Sequence, residues 1–468
     1  MTRTNPLVAI IGSFGRKGTI VVLGSSAIGL VLARLVVMSP VVAVLATATG
    51  IALAVTVLVR KTDYVIFGWF VFTTFLLLIQ DSLPAQYHSL VGTGGFWGGL
   101  ICIVVAWAVE NILTGRRFLP LQNMPLKVTA VLFLLWATMS LAASQSLFVS
   151  VKNYLHIVLA LLAAYMFYNF FSRSVENIRK VIGVVTVIII PTSCYTLLLA
   201  GHAVMTGEPI YKQIALWMFN PNSLGYFLLV TGPVIIVAGL DSMRNKPLKL
   251  VLVMSPLTAL FLSFSRASWV GAFASYCYLL WVSRRSRMYF APLLVAGLFV
   301  VTLLVPDYGG EFFNYVTGER YTGRKEIWAA ALETACDYPL LGTGLGTAFY
   351  TISDYIETPF LKGQDAHSLY LKNAVEMGFP SMIIVVAFYL IFFYYAIRIE
   401  NRLKSDYLKR VTRGAIAVLI GLSVHDFFEV GVILTAFAGA EFTVIWPYIL
   451  MGFPFAAERL DVEAADHG

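Results

Sequence analysis

The sequence predicts an all-α integral membrane protein: a polytopic bundle of about 12–14 transmembrane helices with one long extracytoplasmic helical loop. Three observations predict it. The 468 residues are 59% hydrophobic and 12% charged, with a mean hydropathy of +0.81, which excludes a soluble globular protein. Apolar stretches long enough to cross a hydrocarbon core of about 30 Å recur along the chain. One long polar interval, 307–378, interrupts them.

Taken in order, the first apolar stretches are 19–37 and 41–59. The first follows Arg16-Lys17 and is too long for a cleaved leader, so it is expected to stay in the membrane as a signal anchor. Stretches 63–80 and 95–113 lie between the basic connections Arg60-Lys61 and Arg116-Arg117. Next come 127–143 and 149–171, then 179–201 beyond Arg173. Stretches 222–240, 248–264, 267–283 and 289–306 follow, with Arg244, Lys246 and Lys249 after the first and Arg284, Arg285 and Arg287 after the third. Beyond the polar interval lie 379–398, 411–428 and 433–453, the first two separated by the basic run Arg398 through Arg413. The organisation is therefore 1–306 with eleven spans, 307–378 as the loop, 379–453 with the last spans, and 454–468 as a cytoplasmic tail. The tail after Glu458 is polar and acidic and is expected to be disordered.

Every second connection is basic, which is the positive-inside pattern. It puts both termini in the cytoplasm and the long loop on the opposite face. The net charge of +8 follows from this bias and does not argue for a nucleic-acid partner. The four cysteines offer no extracytoplasmic pair and no CxxC metal motif.

Within the loop, Ile327, Trp328, Ala331, Leu332 and Ala335 recur at helical spacing, so a helix is expected from about Arg324 to Cys336, ended by Asp337-Tyr338-Pro339. A second helix is expected from near His367 to Gly378, with Asp365 as its N-cap. Gly342, Gly344 and Gly346 form a GxGxG with no preceding strand, so it is read as a flexible turn that lets the backbone approach a ligand or the membrane.

Several residues carry candidate chemistry. Arg266 lies at the outer junction of two spans, as a headgroup anchor or as a guanidinium gripping a lipid phosphate. Arg324 opens the first loop helix, the less favourable end for a cation, so it calls for an anionic partner: Glu326 or Glu333, or a substrate. The loop holds five basic and ten acidic residues across 307–378, so phosphate binding there falls to particular arginines. His367, at a helix start that disfavours imidazolium, is the best candidate base, with Asp365 as orienter or cap. His425-Asp426 falls on the same side and could line the same mouth. Asn220-Pro221-Asn222-Ser223 leads into a span, as a cap or a substrate contact. Glu441, inside the last span, needs a partner, for which Lys152 is a candidate when it is not simply a snorkelling lysine. No DxD, HExxH, Walker or Ser-His-Asp pattern appears, so no metal or cofactor is expected and the energy of a reaction must arrive with its substrate. A long loop on one face favours a membrane enzyme over a permease.

Together, Ser265-Arg266-Ala267, Asn220-Pro221-Asn222-Ser223, Gly323-Arg324-Lys325-Glu326-Ile327-Trp328, Tyr338-Pro339-Leu340-Leu341-Gly342-Thr343-Gly344-Leu345-Gly346 and Ala366-His367-Ser368-Leu369-Tyr370-Leu371 resemble the O-antigen ligase and O-antigen polymerase superfamily of bacterial surface-polysaccharide assembly. The resemblance covers about 220–380, and Ser368 stands where that family usually carries Asn. It implies a glycosyltransferase of the bacterial inner membrane working on its outer face. The donor would be an undecaprenyl-diphosphate-linked glycan, and the acceptor either lipid A core or a second lipid-linked repeat. Arg266 and Arg324 would hold the diphosphate and His367 would be catalytic. Asn222, Lys152, Lys325, Asp365 and Tyr370 are expected to contact substrate. Ligase is favoured over polymerase, and a lipid-linked oligosaccharide flippase is the alternative of another class.

Overall fold

The computed structural model describes residues 63, 65–71, 95–113, 119, 123–208, 210, 213–214, 221–240, 246–282, 320–430, 434 and 442–466. The expected spans at 19–37, 41–59 and 289–306, the loop's opening residues 307–319 and Glu441 lie outside them. Among the described residues every regular element is helical. The bundle comprises α1 (Gly95–Leu113), α2 (Met124–Leu141), α3 (Leu147–Phe171), α4 (Val175–Thr206), α5 (Pro221–Leu240), α6 (Lys246–Leu262) and α7 (Arg266–Val282). After α8 (Arg320–Asp337) and α9 (Leu369–Met377) it resumes with α10 (Phe379–Arg402), α11 (Asp406–His425) and α12 (Phe442–Asp466). By length and composition α2, α3, α4 and α10 suffice to cross a membrane. The protein is an all-α polytopic membrane protein.

Local chemistry sets the helix ends. Asn123 accepts the Leu126 N–H at 3.0 Å to start α2, and Ser174 accepts the Glu176 N–H at 3.0 Å to start α4. α4 runs past Pro191 and stops at Gly207, whose φ of 71° only glycine adopts freely.

α11 is the hub, packed against α5, α7, α10 and α12. It crosses α7 with almost no side chain between them: a Cβ on Gly421 would lie 2.0 Å from Ser275 Oγ and 2.6 Å from the Gly271 carbonyl. At one end of this group Glu400, 2% exposed, accepts from Arg413 Nε at 2.6 Å and Tyr278 OH at 3.0 Å, joining α7, α10 and α11. The tail is ordered, contrary to expectation. α12 stays helical to Asp466, and the Asp461 carboxylate accepts the Lys404 and Ser405 amides at 2.8 and 2.9 Å, anchoring the tail to the α10–α11 connection.

At the opposite end of the bundle, α8, the turns Ala348–Thr351, Ile352–Tyr355 and Pro359–Leu361, and α9 form a helical layer. It has its own apolar core of Ile327, Ala331, Ala335, Ile352, Leu361 and Val375. The apolar face of α8 therefore packs on α9 and these turns. The GxGxG segment is not a free turn facing ligand. Thr343 and Gly344 donate amides to the Val375 and Glu376 carbonyls, each at 2.9 Å. Ser140 donates to the Leu341 carbonyl at 2.8 Å, Ser150 to the Leu345 carbonyl at 2.9 Å and Trp136 Nε1 to the Met377 carbonyl at 2.8 Å. The glycines thus join the layer to α2 and α3. Gly342 has φ 66°, and a Cβ there would lie 2.3 Å from the Glu376 carbonyl carbon and 2.4 Å from the Met377 nitrogen, backbone atoms that cannot turn aside. Gly342→Ala is therefore expected to destabilise the protein by about 2 kcal/mol or more, read as a lower unfolding midpoint of detergent-purified protein. An unchanged midpoint would refute this account of the junction.

Candidate active site

Where the layer meets the bundle, side chains from three separate segments converge on Glu429, just beyond the end of α11. The chain turns there through hydrogen bonds from the Phe428 and Glu429 amides to the His425 carbonyl, at 2.9 and 3.0 Å. Arg324, in the first turns of α8, places Nη2 at 3.1 Å from Glu429 Oε2 and donates from Nη1 to the Phe428 carbonyl at 2.8 Å. Asn222, in the first turn of α5, donates Nδ2 to the same Oε2 at 3.3 Å. His367, before α9, sets Nδ1 2.7 Å from Oε1, with the Gln364 side-chain oxygen Oε1 3.3 Å from Nε2. A carboxylate only accepts, so Nδ1 carries a proton toward Glu429, and with the Gln364 amide turned to present its nitrogen, Nε2 is the ring's proton acceptor.

Burial opposes the charge on Glu429, but the hydrogen bond from His367 and the charges of His367 and Arg324 outweigh it and hold the carboxyl below the ordinary Glu value. The carboxylate is 17% exposed and the imidazole 28%, so the cluster sits at an opening.

The backbone of the His367 turn is unusual. His367 has φ 45°, a left-handed conformation that non-glycine residues seldom adopt. Ser368 then caps α9 by accepting the Leu371 N–H at 3.5 Å, and the Leu369 amide donates to the Asp426 carbonyl at 2.8 Å. The expectation that Asp365 caps this helix is therefore corrected: its carboxylate accepts the Ala366 amide at 2.8 Å and bonds Lys372 Nζ. Arg324 pairs with neither Glu326 nor Glu333. Glu326 instead accepts the Thr358 amide and hydroxyl at 2.8 and 2.7 Å, which lower its pKa.

Beneath the cluster, His425 and Asp426 are each 1% exposed and 3.2 Å apart, and Tyr389 donates to Asp426 at 2.9 Å. They line no open mouth but form the floor. Tyr370 is 7% exposed, donates to the Ser423 carbonyl at 2.9 Å and lies against the Phe427 ring, so it packs α9 onto α11. Arg266 opens α7, half-buried. Its neighbours Ser265 and Ser268 pack against Gly225, one turn along α5 from Asn222, which puts Arg266 at the same end of the bundle. Lys152 and Lys325 are exposed, and no contact brings either to Glu429.

Residues 250–386 match the family model described as O-antigen ligase. This match supports a place in the O-antigen ligase/polymerase superfamily. No curated protein matches it. The O-antigen ligase match covers less than a third of the chain and contains Arg266, Arg324 and His367, whereas Asn222 and Glu429 fall on either side of it. The match points to a ligase or polymerase type of function on lipid-linked glycans at a membrane. Glu429 was missed from the sequence. Its one signal is that it stands four residues after His425, in the short connection between two apolar stretches.

Proposed function

We propose that the chain is an inverting glycosyltransferase that moves a glycan from undecaprenyl diphosphate to an acceptor hydroxyl, as an O-antigen ligase with lipid A core as acceptor. The observation that carries this reading is the convergence of Arg324, His367 and Asn222 on Glu429 at one end of the bundle. The acceptor oxygen attacks the anomeric carbon, the bond from that carbon to the diphosphate oxygen breaks, and undecaprenyl diphosphate leaves. Arg324 and Arg266 supply positive charge for the diphosphate as its charge develops. His367 Nε2 takes the hydroxyl proton, and Glu429, hydrogen-bonded to Nδ1–H, orients the ring and stabilises the imidazolium that forms. The basic connections support a site on the extracytoplasmic face of the inner membrane.

The test is transfer by purified protein from an undecaprenyl-diphosphate-linked repeat, with and without lipid A core, products being resolved by length. A single addition that needs the core supports the ligase. A ladder of repeats without the core makes the chain a polymerase, the second activity in its superfamily. Arg324→Ala is expected to lower transfer by about 10²–10³-fold in protein that folds normally, and full activity in that variant would remove Arg324 from the mechanism.

A further inference from the structure

Directly behind the His367 turn lies a buried charge cluster that the proposed mechanism leaves unused. Lys372, on α9, is 6% exposed. Its ammonium bonds the Asp365 carboxylate and lies 3.8 Å from Glu376, which is fully buried. Neither Glu376 oxygen makes a hydrogen bond of good geometry, although the Gly346 and Ala348 amides lie close enough to favour its charge. Burying an ammonium is unfavourable unless its partners are well placed, and an apolar side chain would fill the site at lower cost. The cation therefore calls for a purpose other than packing.

Its geometry supplies one. The left-handed φ of His367 persists only if both flanks of the turn are held. On the far side, Ser368 caps α9 and Leu369 is tied to the Asp426 carbonyl. On the near side, the Ala366 amide is held only by one Asp365 oxygen, and Asp365 is itself a third exposed. The other Asp365 oxygen is fixed by Lys372, so the buried ammonium removes the freedom a partly solvated carboxylate would have. We propose that Lys372 is a positioning residue that acts through Asp365 to hold the Ala366–His367 turn, so that His367 Nδ1 faces Glu429. This rests on the reading of His367 as the reacting base. Lys372 touches neither substrate nor imidazole. Its part is to make the histidine's direction independent of solvent at Asp365.

The test uses the full chain in detergent or nanodiscs with three readouts: thermal unfolding, the rate of His367 carbethoxylation by diethyl pyrocarbonate read on the peptide, and transfer. Exposed His202 is the internal reference. Lys372→Met is expected to raise His367 carbethoxylation several-fold and to lower kcat at least tenfold, with KM for the lipid-linked donor unchanged. The double variant Lys372→Met/Asp365→Ala separates positioning from folding, because it removes the buried ion pair as a unit. It is expected to unfold near the wild-type temperature while His367 stays fast to modify and kcat stays low. If the double variant recovers wild-type stability together with wild-type modification and turnover, the pair is structural only and the proposal fails. If the wild type transfers no glycan, the functional reading fails, and the carbethoxylation arm still decides whether Lys372 positions His367.

Discussion

Glu429→Gln is expected to lower glycan transfer by about 10²–10⁴-fold while leaving a folded protein. The substitution keeps the size of the side chain and an oxygen within reach of Asn222 and Arg324. It removes the charge that draws the Nδ1 proton of His367 and that offsets Arg324. Without that charge the imidazolium formed during proton transfer loses its stabilising neighbour, so the loss should fall on kcat and not on donor affinity. The effect on stability is smaller, about 1–2 kcal/mol, because Arg324 and His367 are each about a quarter exposed and can rehydrate. pH offers a second check. The native carboxyl titrates below its unfolded value of about 4.3, so its stabilisation is present above that value and is lost as pH falls through the native one. The Gln variant should show no such loss in that acid window. Wild-type turnover in a well-folded Glu429→Gln protein would exclude the carboxylate from the mechanism.

The second large effect concerns Glu376. Burial is the main cause of its shift, with Asp365 adding to it, while Lys372 and the Gly346 and Ala348 amides oppose them; together they push its pKa up to about 7. A carboxyl raised in this way favours the fold fully below the unfolded value of about 4.3, and that advantage disappears as pH rises through about 7. At pH 8 the protein carries a charged, fully buried carboxylate inside the layer, with the Lys372 ammonium 3.8 Å away. Glu376→Gln is expected to raise stability at pH 8 by about 3 kcal/mol and to flatten the stability profile between about pH 4.5 and 7. The check is the unfolding midpoint of wild type and variant across pH 5–8. A variant less stable than wild type at pH 8 would mean that the Glu376 charge is satisfied by partners.

What the sequence could and could not convey follows from how each residue is held. Arg324, His367 and Asn222 stand in recognisable local strings, and all three meet at one carboxylate. That carboxylate was not legible, because Glu429 gains meaning only when the end of α11 folds over the starts of α5 and α8, contacts across more than a hundred residues for Arg324 and two hundred for Asn222. The N-cap of α9 was misplaced for a local reason. Asp365 and Ser368 are both good caps, and the left-handed φ of His367, which delays the helix to Leu369, leaves no mark in composition. The glycines of 342–346 read as free because nothing nearby in sequence shows that α2 and α3 occupy the space beside them. Long apolar stretches marked the described helices of the bundle, but polarity misled at the tail, where Asp461 uses its charge to cap another connection.

The attachment of residues 341–346 and 375–377 to Trp136, Ser140 and Ser150 has a mechanical consequence. The layer is pinned along one margin by α2 and α3 and along the other by Asp426 and Glu429, so it behaves as a beam resting on two supports and not as a flap on a hinge. Any motion that spreads those supports is delivered to the turn between them. The 2.7 Å contact between His367 and Glu429 is thus a strain gauge for the spacing of bundle segments nearly three hundred residues apart in the chain.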